Sequence, residues 1–524
     1  MAPLTALLAA LAAAGLLSAC SLAPTLQRPA APVAATWPEA SAADSAADGK
    51  AATDTGWRDY FADARLQQLI ATALEHNRDL RTAALRMEEA RALYGIQSAD
   101  RLPNVNASVT DTRAKTPAYL TSSGQSTIGK RYDAGLSMPA FELDFFGRVK
   151  SLNDAALAAY LATDEARQAA QIGLVADVAK AYYTERAYAE QYALAQQSFE
   201  TRQRTYDLTR QRANVGASSL LDLRTNETLM ETARAAALTL ARQRAQAENA
   251  LTLLVGQPPA HASAAASAPA SAPASAPASA PASAPASAPP SPAAAAPASG
   301  SAPASANAGG NASANANLGA LASDAQIDAM SALPAGLPSD LLTRRPDIRA
   351  AEQRLKSANA NIGAARAAFF PRVSLTAAVG SSSPSLGGLF DSGSGSWSFA
   401  PQLVLPIFDA GRNRANLTLS EVRKNLAVAD YEKTIQLAFR EVADALAARS
   451  YLGDQVTAQR AIQDAQADRL RLLELRFANG VASSLDVLDA QRELFASQQS
   501  LVQARLLRTT SAIDLYRALG GGLK

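Results

Sequence analysis

The chain has 524 residues and a formal net charge of only +2, so its charge gives no reason to expect a nucleic-acid partner. Its one cysteine, Cys20, and its two histidines, His76 and His261, are too few for a zinc site or a cysteine–histidine nucleophile pair. We therefore predict a protein that is not an enzyme, has no catalytic residues and needs no metal or cofactor.

The first residues form an apolar run that is typical of a signal peptide. Residues 4–19 are rich in Ala and Leu but are too few to span a bilayer. The run ends in Leu17-Ser18-Ala19-Cys20, which resembles a bacterial lipobox, and this resemblance implies removal of residues 1–19 and lipidation of Cys20. No Lys or Arg precedes the run, so an unlipidated signal peptide is the alternative. Residues 20–56 follow as a predicted flexible leader without a core.

Two helical segments are predicted next, at residues 59–77 and 80–99, before the chain reaches Pro103. Residues 348–370 repeat the second segment 268 positions later and end at Pro371. The similarity indicates that the chain contains the same unit twice, with a first repeat at residues 57–257.

The period of the apolar residues changes from helical to two after each of these segments. This alternation predicts one hairpin within residues 104–146 and another within residues 372–408, with polar connections at 116–129 and 380–396. Strands of about ten residues with one apolar face suit a membrane barrel with a wet lumen. Alternation alone equally permits a soluble hairpin that packs on helices. Four strands cannot close a barrel, so other copies of the chain would have to complete it.

A long helix and a shorter return helix follow each hairpin, within residues 148–255 and 412–519. Each long pattern covers about 65 residues without a proline, which at 1.5 Å per residue gives roughly 95 to 100 Å. Apolar residues recur every seven positions at matching places in both halves; Val456 on the second long helix and Leu501 on its return helix belong to this pattern. The spacing predicts packing as a coiled coil.

The turn between each long helix and its return helix is nearly the same in both halves. The stretches RANVGASSLLD at 212–222 and RFANGVASSLD at 476–486 lie 264 positions apart, which predicts a tandem duplication. In each, a glycine can end the first helix in the left-handed conformation, a serine can cap the second helix, and an aspartate completes a capping box. These residues are Gly216, Ser219 and Asp222 in the first tip, and Gly480, Ser483 and Asp486 in the second.

A low-complexity tract at residues 258–322 separates the two halves. Its repeated Ala-Pro-Ala-Ser units are incompatible with the interior of a helix or sheet and predict an extended, disordered linker. The second repeat then covers residues 323–521.

Five segments carry a family resemblance: ELDFFGR at 142–148, LPSDLL at 337–342, RRPDIR at 344–349, ARAAFFP at 365–371 and LPIFDAGR at 405–412. Together with the repeats they resemble the TolC-like outer membrane efflux proteins, specifically their lipoprotein (NodT) branch. The resemblance covers residues 57–520 apart from the low-complexity tract.

The resemblance implies a mostly α-helical fold with a transmembrane β-barrel. A homotrimer would supply a twelve-stranded barrel in the outer membrane and a periplasmic tunnel of twelve coiled-coil helices, with each chain anchored by lipid. The implied partners are outer membrane lipid, a periplasmic adaptor protein and an inner-membrane pump of the RND type. The hairpin tips, with Gly216, Ser219, Gly480 and Ser483, are expected to contact the adaptor.

The resemblance also implies a role for the acids at the tips. In TolC-like proteins the acids of an Asp-Val-Leu-Asp segment surround the narrow periplasmic aperture, and this chain has Asp486-Val487-Leu488-Asp489 at that place. Asp222 is the matching acid in the first half. The alternative is that Asp222 and Asp486 only start helices, where an acid contributes about 0.3 to 1 kcal/mol. Capping does not explain Asp489.

The resulting hypothesis is an outer membrane channel of a tripartite efflux system, which passively conducts drugs or other small molecules to the exterior. Nothing in the chain resembles a nucleotide-binding loop, in agreement with passive transport. The alternatives are a type I secretion duct for proteins and a non-conducting coiled-coil envelope lipoprotein. The predicted barrel hairpins favour a duct, because a tether needs no lumen.

Overall fold

The structure is a computed structural model that describes residues 22–34, 37, 54–122, 124–257, 324–331, 333 and 338–523. The predicted signal peptide at residues 1–19, the lipidation site Cys20 and the linker at 258–322 lie outside the described residues. The chain divides into two compact units. The first consists of Met1–Tyr183 with Ala322–Lys524, and the second of Thr184–Leu321.

The described residues are mostly helical. Their helices are α1 (Trp57–Tyr60), α2 (Ala64–His76), α3 (Arg78–Ala99), α4 (Arg148–Asn214), α5 (Leu220–Val255), α6 (Asp324–Ser331), α7 (Pro338–Arg344), α8 (Pro346–Ala367), α9 (Arg412–Ala478) and α10 (Ser484–Ala518). Their strands are β1 (Asn106–Thr116), β2 (Thr127–Leu143), β3 (Arg372–Ser383) and β4 (Gly395–Val404). No helix among these residues is both long enough and apolar enough to cross a membrane.

The first predicted helix, at residues 59–77, is in fact two helices, and the prediction of a continuous helix was wrong. The chain is extended at the fully buried Phe61, and Asp63 then starts α2 by accepting hydrogen bonds from the backbone N–H groups of Arg65 and Leu66. The break places Phe61 and Tyr60 against Tyr516, whose ring stacks on that of Tyr60 with centroids 4.0 Å apart. Burial of this aromatic cluster outweighs the local helical period.

The two predicted hairpins are present and form one antiparallel sheet in the order β1-β2-β3-β4. The register places Leu136 opposite Val379, and Val379 opposite Trp397. β3 continues to Ser383 and β4 begins at Gly395, so the connection predicted at 380–396 is shorter, at 384–394. The added strand residues, at 380–383 and 395–396, are glycines and serines, so no apolar alternation marks them as strand.

The long helices have the predicted length, with 67 residues in both α4 and α9. The return helices α5 and α10 have 36 and 35 residues. In the first unit, Val456 of α9 and Leu501 of α10 pack together with Ala504, as the heptad spacing predicted. The beginnings and ends of α4 and α9 are both 264 positions apart, and those of α3 and α8 are both 268 positions apart.

The leader is packed more closely than its composition predicted. Residues 22–34 have no regular secondary structure, as expected for an extended segment, but they run along α8. Asn359 donates a hydrogen bond to the carbonyl oxygen of Pro24 over 2.7 Å, and Arg28 forms an ion pair with Glu352. Trp37 is buried and stacks on Phe439 of α9, with ring centroids 4.7 Å apart. The prediction that the leader has no core residues was therefore wrong.

Candidate functional site

The sheet has one apolar face and one polar face. Opposed residues of antiparallel strands share a face, so the register places Leu136, Val379 and Trp397 together on the apolar one. This face is open to the surroundings of the chain, and Trp397 is 80% exposed. The neighbouring row, Ser137, Ala378 and Ser398, belongs to the other face. That face also carries Arg131, Asp133, Ser374, Ser382 and Gln402.

The contacts of two glycines indicate that the sheet bends toward its polar face. Gly135 and Gly380 lie opposite each other on that face. A Cβ atom on Gly380 would come within 2.2 Å of the carbonyl oxygen of Ala134, and one on Gly135 within 2.5 Å of that of Val379. Only glycines permit this approach of two backbones, and bending crowds the inner side of a sheet. A depression of about 210 Å³, whose lining includes Arg131 and Asp133, lies at the same place.

Charged side chains join the sheet to the start of α4. Glu142 at the end of β2 accepts hydrogen bonds from Nε and Nη2 of Arg148, over 2.8 and 2.7 Å, and forms an ion pair with Arg372 of β3 over 2.7 Å. Nearby, Phe146 stacks on Phe370 with centroids 4.7 Å apart. Two of the segments that carried the family resemblance, ELDFFGR and ARAAFFP, thus meet where strands continue into helices.

The first helix tip lies in the second unit and has the predicted capping geometry. Gly216 has a φ of 77°, which ends α4 in the left-handed region. Ser219 caps α5: its hydroxyl accepts a hydrogen bond from the Asp222 N–H over 3.0 Å. The Asp222 carboxylate in turn accepts a hydrogen bond from the backbone N–H of Ser219 over 3.4 Å, which completes the capping box.

The second tip, in the first unit, repeats this geometry. Gly480 has a φ of 74°, and Ser483 and Asp486 form the same capping box at the start of α10. The hydroxyl and the backbone N–H of Ser483 donate hydrogen bonds to the Asp486 carboxylate over 2.8 and 3.0 Å. These bonds favour the charged form and lower the pKa of Asp486 below its ordinary value.

Asp489 has partners that the sequence reasoning missed. Its carboxylate lies 2.6 Å from Nη2 of Arg492, one turn further along α10, and 3.4 Å from Nη2 of Arg469 on α9. The i,i+3 spacing of Asp489 and Arg492 could have been found from the sequence. The pair with Arg469 depends on the register of the two antiparallel helices. The structure thus brings Asp486 and Asp489 together on the first turns of α10, and only Asp489 has arginine partners among the ion pairs described.

Two helical surfaces of the first unit expose apolar residues. Helix α3 has no buried residue, and its Leu85, Leu93 and Ile96 are exposed. The start of α9 likewise exposes Leu419, Val422 and Leu426. Helix α8, which lies 268 positions later in the chain, has nine buried residues. Exposed apolar surfaces of this kind mark sites of interaction with another chain.

Known proteins share the sequence and the fold of this chain over nearly its whole length. The chain is 43% identical to the probable efflux pump outer membrane protein TtgC of Pseudomonas putida, over 97% of this chain and 93% of TtgC. It is 43% identical to the outer membrane protein OprJ of Pseudomonas aeruginosa, over 97% and 94%. The open state of the MtrE outer membrane channel of Neisseria gonorrhoeae has a TM-score of 0.76 at 38% identity, over 96% and 99%. Residues 69–257 and 337–521 match the profile of the outer membrane efflux proteins, and the chain belongs to that family.

Proposed function

We propose that the chain is the exit duct of a tripartite efflux system, in which copies of the chain together form a channel through the outer membrane. The bent sheet is the main support for this proposal. Its apolar face is exposed on the outer side of the bend and its polar face lies on the inner side, an arrangement that suits lipid outside and water inside. Four strands are too few to close such a barrel.

Three copies would supply twelve strands and a tunnel of twelve coiled-coil helices, which is the homotrimer expected from the resemblance. The exposed apolar surfaces of α3 and α9 support contacts between copies, because a monomer would leave both in water. The equal offsets of the helices support a tandem duplication, since both halves then occupy similar places around the tunnel.

The partners we propose are a periplasmic adaptor and an inner-membrane pump of the RND type. The tips would meet the adaptor, because they expose apolar side chains on an otherwise polar turn. These side chains are Val215, Leu220 and Leu221 at the first tip and Val481 and Leu485 at the second. Lipid on Cys20 would add an anchor in the outer membrane. The cargo would be drugs or other small molecules.

Reconstitution tests the duct itself. Purified protein should be trimeric by light scattering in mild detergent and should conduct ions across a planar bilayer. A monodisperse monomer without conductance would contradict the proposal. It would favour a non-conducting envelope lipoprotein.

The tip acids would form a cation-attracting constriction at the periplasmic end of the tunnel. Asp489→Ala combined with Asp486→Ala should reduce block by multivalent cations and raise conductance. Because Arg469 and Arg492 offset the charge of Asp489, the Asp486→Ala single variant should account for most of the change. Ser483→Ala is the matched control, since it removes the cap and keeps both carboxylates. If Ser483→Ala loses block by multivalent cations to the same extent, the acids act only as helix caps.

A further inference from the structure

A row of basic residues lies at the turn end of the first hairpin, on the apolar face of the sheet. Arg113 on β1 is directly opposite Lys130 on β2, and Lys115 lies two residues beyond Arg113. We call Arg113, Lys115 and Lys130 the basic row. All three are exposed. Arg131, the next residue after Lys130, lies on the polar face, where it pairs with Asp133 over 2.8 Å.

The basic row lies on the same face as the apolar rows and beyond them, toward the turn of the first hairpin. Along β2 this face carries Leu136, Ala134 and Tyr132 before it reaches Lys130. At about 3.4 Å per residue and a tilt of about 40°, the apolar rows from Val373 to Ser381 span roughly 21 Å along the membrane normal. Lys130 lies four residues beyond Ala134, or about 10 Å further. A barrel has an apolar band of about 25 Å, so the basic row reaches the headgroup layer.

Two of the three charges of the basic row have no ion-pair partner among the described residues. Arg113 pairs with Asp111 over 2.9 Å, whereas Lys115 and Lys130 form no ion pair with any described residue. Two like charges placed directly opposite each other destabilise a sheet unless an anion lies between them. The second hairpin has no Lys or Arg at its turn end, in residues 376–404. The row is therefore a local feature and not a general property of the strand ends.

We infer that the basic row binds the phosphate groups of lipid headgroups in the leaflet that surrounds the turn end of the hairpins. A guanidinium and two ammonium groups at headgroup depth on the lipid-facing side match that chemistry in charge and position. This assignment rests on the proposed function, because it takes the apolar face of the sheet as the lipid-facing one. The occupant would be a phosphorylated lipid, since a free phosphate has no acyl chains to hold it beside the apolar rows.

The test compares two variants in lipid binding. Delipidated protein is titrated with nanodiscs that contain either a diphosphorylated glycolipid of the lipid A type or the same lipid without phosphates. The triple variant Arg113→Gln, Lys115→Gln, Lys130→Gln should bind the phosphorylated lipid more weakly by a factor on the order of 100. Arg131→Gln is the matched control, because it removes a cation one residue away on the polar face. It should bind as the unmodified protein does.

Equal binding by the triple variant and the unmodified protein would overturn the inference, as would an equal loss in Arg131→Gln. Inorganic phosphate at millimolar concentration should not compete, and full competition would reject a lipid as the occupant. Conductance is measured on the same preparations. If the unmodified protein conducts but the triple variant binds normally, only this inference fails. If the unmodified protein neither inserts nor conducts, the proposed function itself fails.

Discussion

Replacing Arg345 with methionine should destabilise the first unit by about 3 kcal/mol. The Arg345 side chain is only 10% exposed and donates hydrogen bonds to Asp347, to Glu441 of α9 and to the carbonyl oxygen of Ala518 at the end of α10. One guanidinium thus ties α8, α9 and α10 together. Methionine fills a similar volume but leaves two carboxylates and the carbonyl oxygens of Ala438 and Ala518 without this donor.

The expected loss of unfolding free energy lies at the lower end of the range for removing one partner of a buried ion pair. That range is about 3 to 5 kcal/mol, and both carboxylates are about one third exposed, so water replaces part of the lost interaction. Arg344→Met is the matched control: Arg344 is 45% exposed and lies 3.4 Å from Asp54, so its loss should cost less than about 1 kcal/mol. Arg345→Lys should fall between them, because it keeps the charge and loses the planar fork.

Chemical denaturation of the three purified variants in detergent, followed by circular dichroism at the helical band, measures the difference. Arg345→Met should unfold at a clearly lower denaturant concentration than Arg344→Met. Coincident unfolding curves would refute the reasoning, since they would show that the buried network contributes no more than an exposed pair.

Three further changes test the caps, the bend and the leader. Ser483→Ala should cost about 1 kcal/mol in denaturation and Ser484→Ala much less, because only Ser483 caps α10. The pKa of Asp486 lies below its ordinary value of 3.8. The stabilisation from this cap should therefore be fully present above pH 3.8 and should disappear as the pH falls through the lowered pKa. Gly380→Val should prevent insertion of the sheet, measured by outer membrane fractionation, because its side chain would overlap the backbone of β2. Gly363→Leu should expose the leader amides of residues 22–34 to hydrogen exchange, because a Cβ there would lie 2.8 Å from the Ala23 nitrogen. Normal insertion of Gly380→Val would contradict the close contact between β3 and β2. Unchanged hydrogen exchange in Gly363→Leu would contradict the contact between the leader and α8.

The features that the sequence predicted correctly depend on residues close together in the chain. The caps at Ser219 and Ser483 need only a glycine, a serine and an aspartate within seven positions. The strands and the long helices follow from apolar periods of two and of seven, which local geometry imposes. The lengths of the long helices could therefore be read without knowledge of the tertiary fold.

The features that could not be predicted depend on residues far apart in the chain. Trp37 stacks on Phe439, and Asp489 pairs with Arg469 only because of the register between α9 and α10. The Arg345 network joins three helices, although the sequence marked this residue only as part of a family segment. The leader shows most clearly what could not be predicted from the sequence. Its composition is that of a disordered segment, but α8 and α9 supply the surface on which it is ordered.

Helices α3 and α8, whose bounds lie 268 positions apart, differ in burial, and this difference gives a last prediction about contacts between copies. Gly363 of α8 packs so closely on α4 that a Cβ would lie 2.6 Å from the Ser151 hydroxyl. By the repeat offsets, the equivalent residues are Gly95 of α3 and Ala415 of α9, yet nothing lies within 4 Å of a Cβ at Gly95. If three copies form a pseudo-sixfold ring, Gly95 of one copy should meet Ala415 of the next.

Cysteines at both positions, Gly95→Cys with Ala415→Cys, should therefore form disulfides between copies on mild oxidation. A non-reducing gel should show species of two and three times the monomer mass. The two single variants expressed together should form crosslinked dimers and no trimers, and the unmodified protein should show no crosslinks. Only monomer in the oxidised double variant would contradict the predicted contact. Because the exposed Leu93 and Ile96 lie close to Gly95 in α3, a second chain explains its open side better than water does.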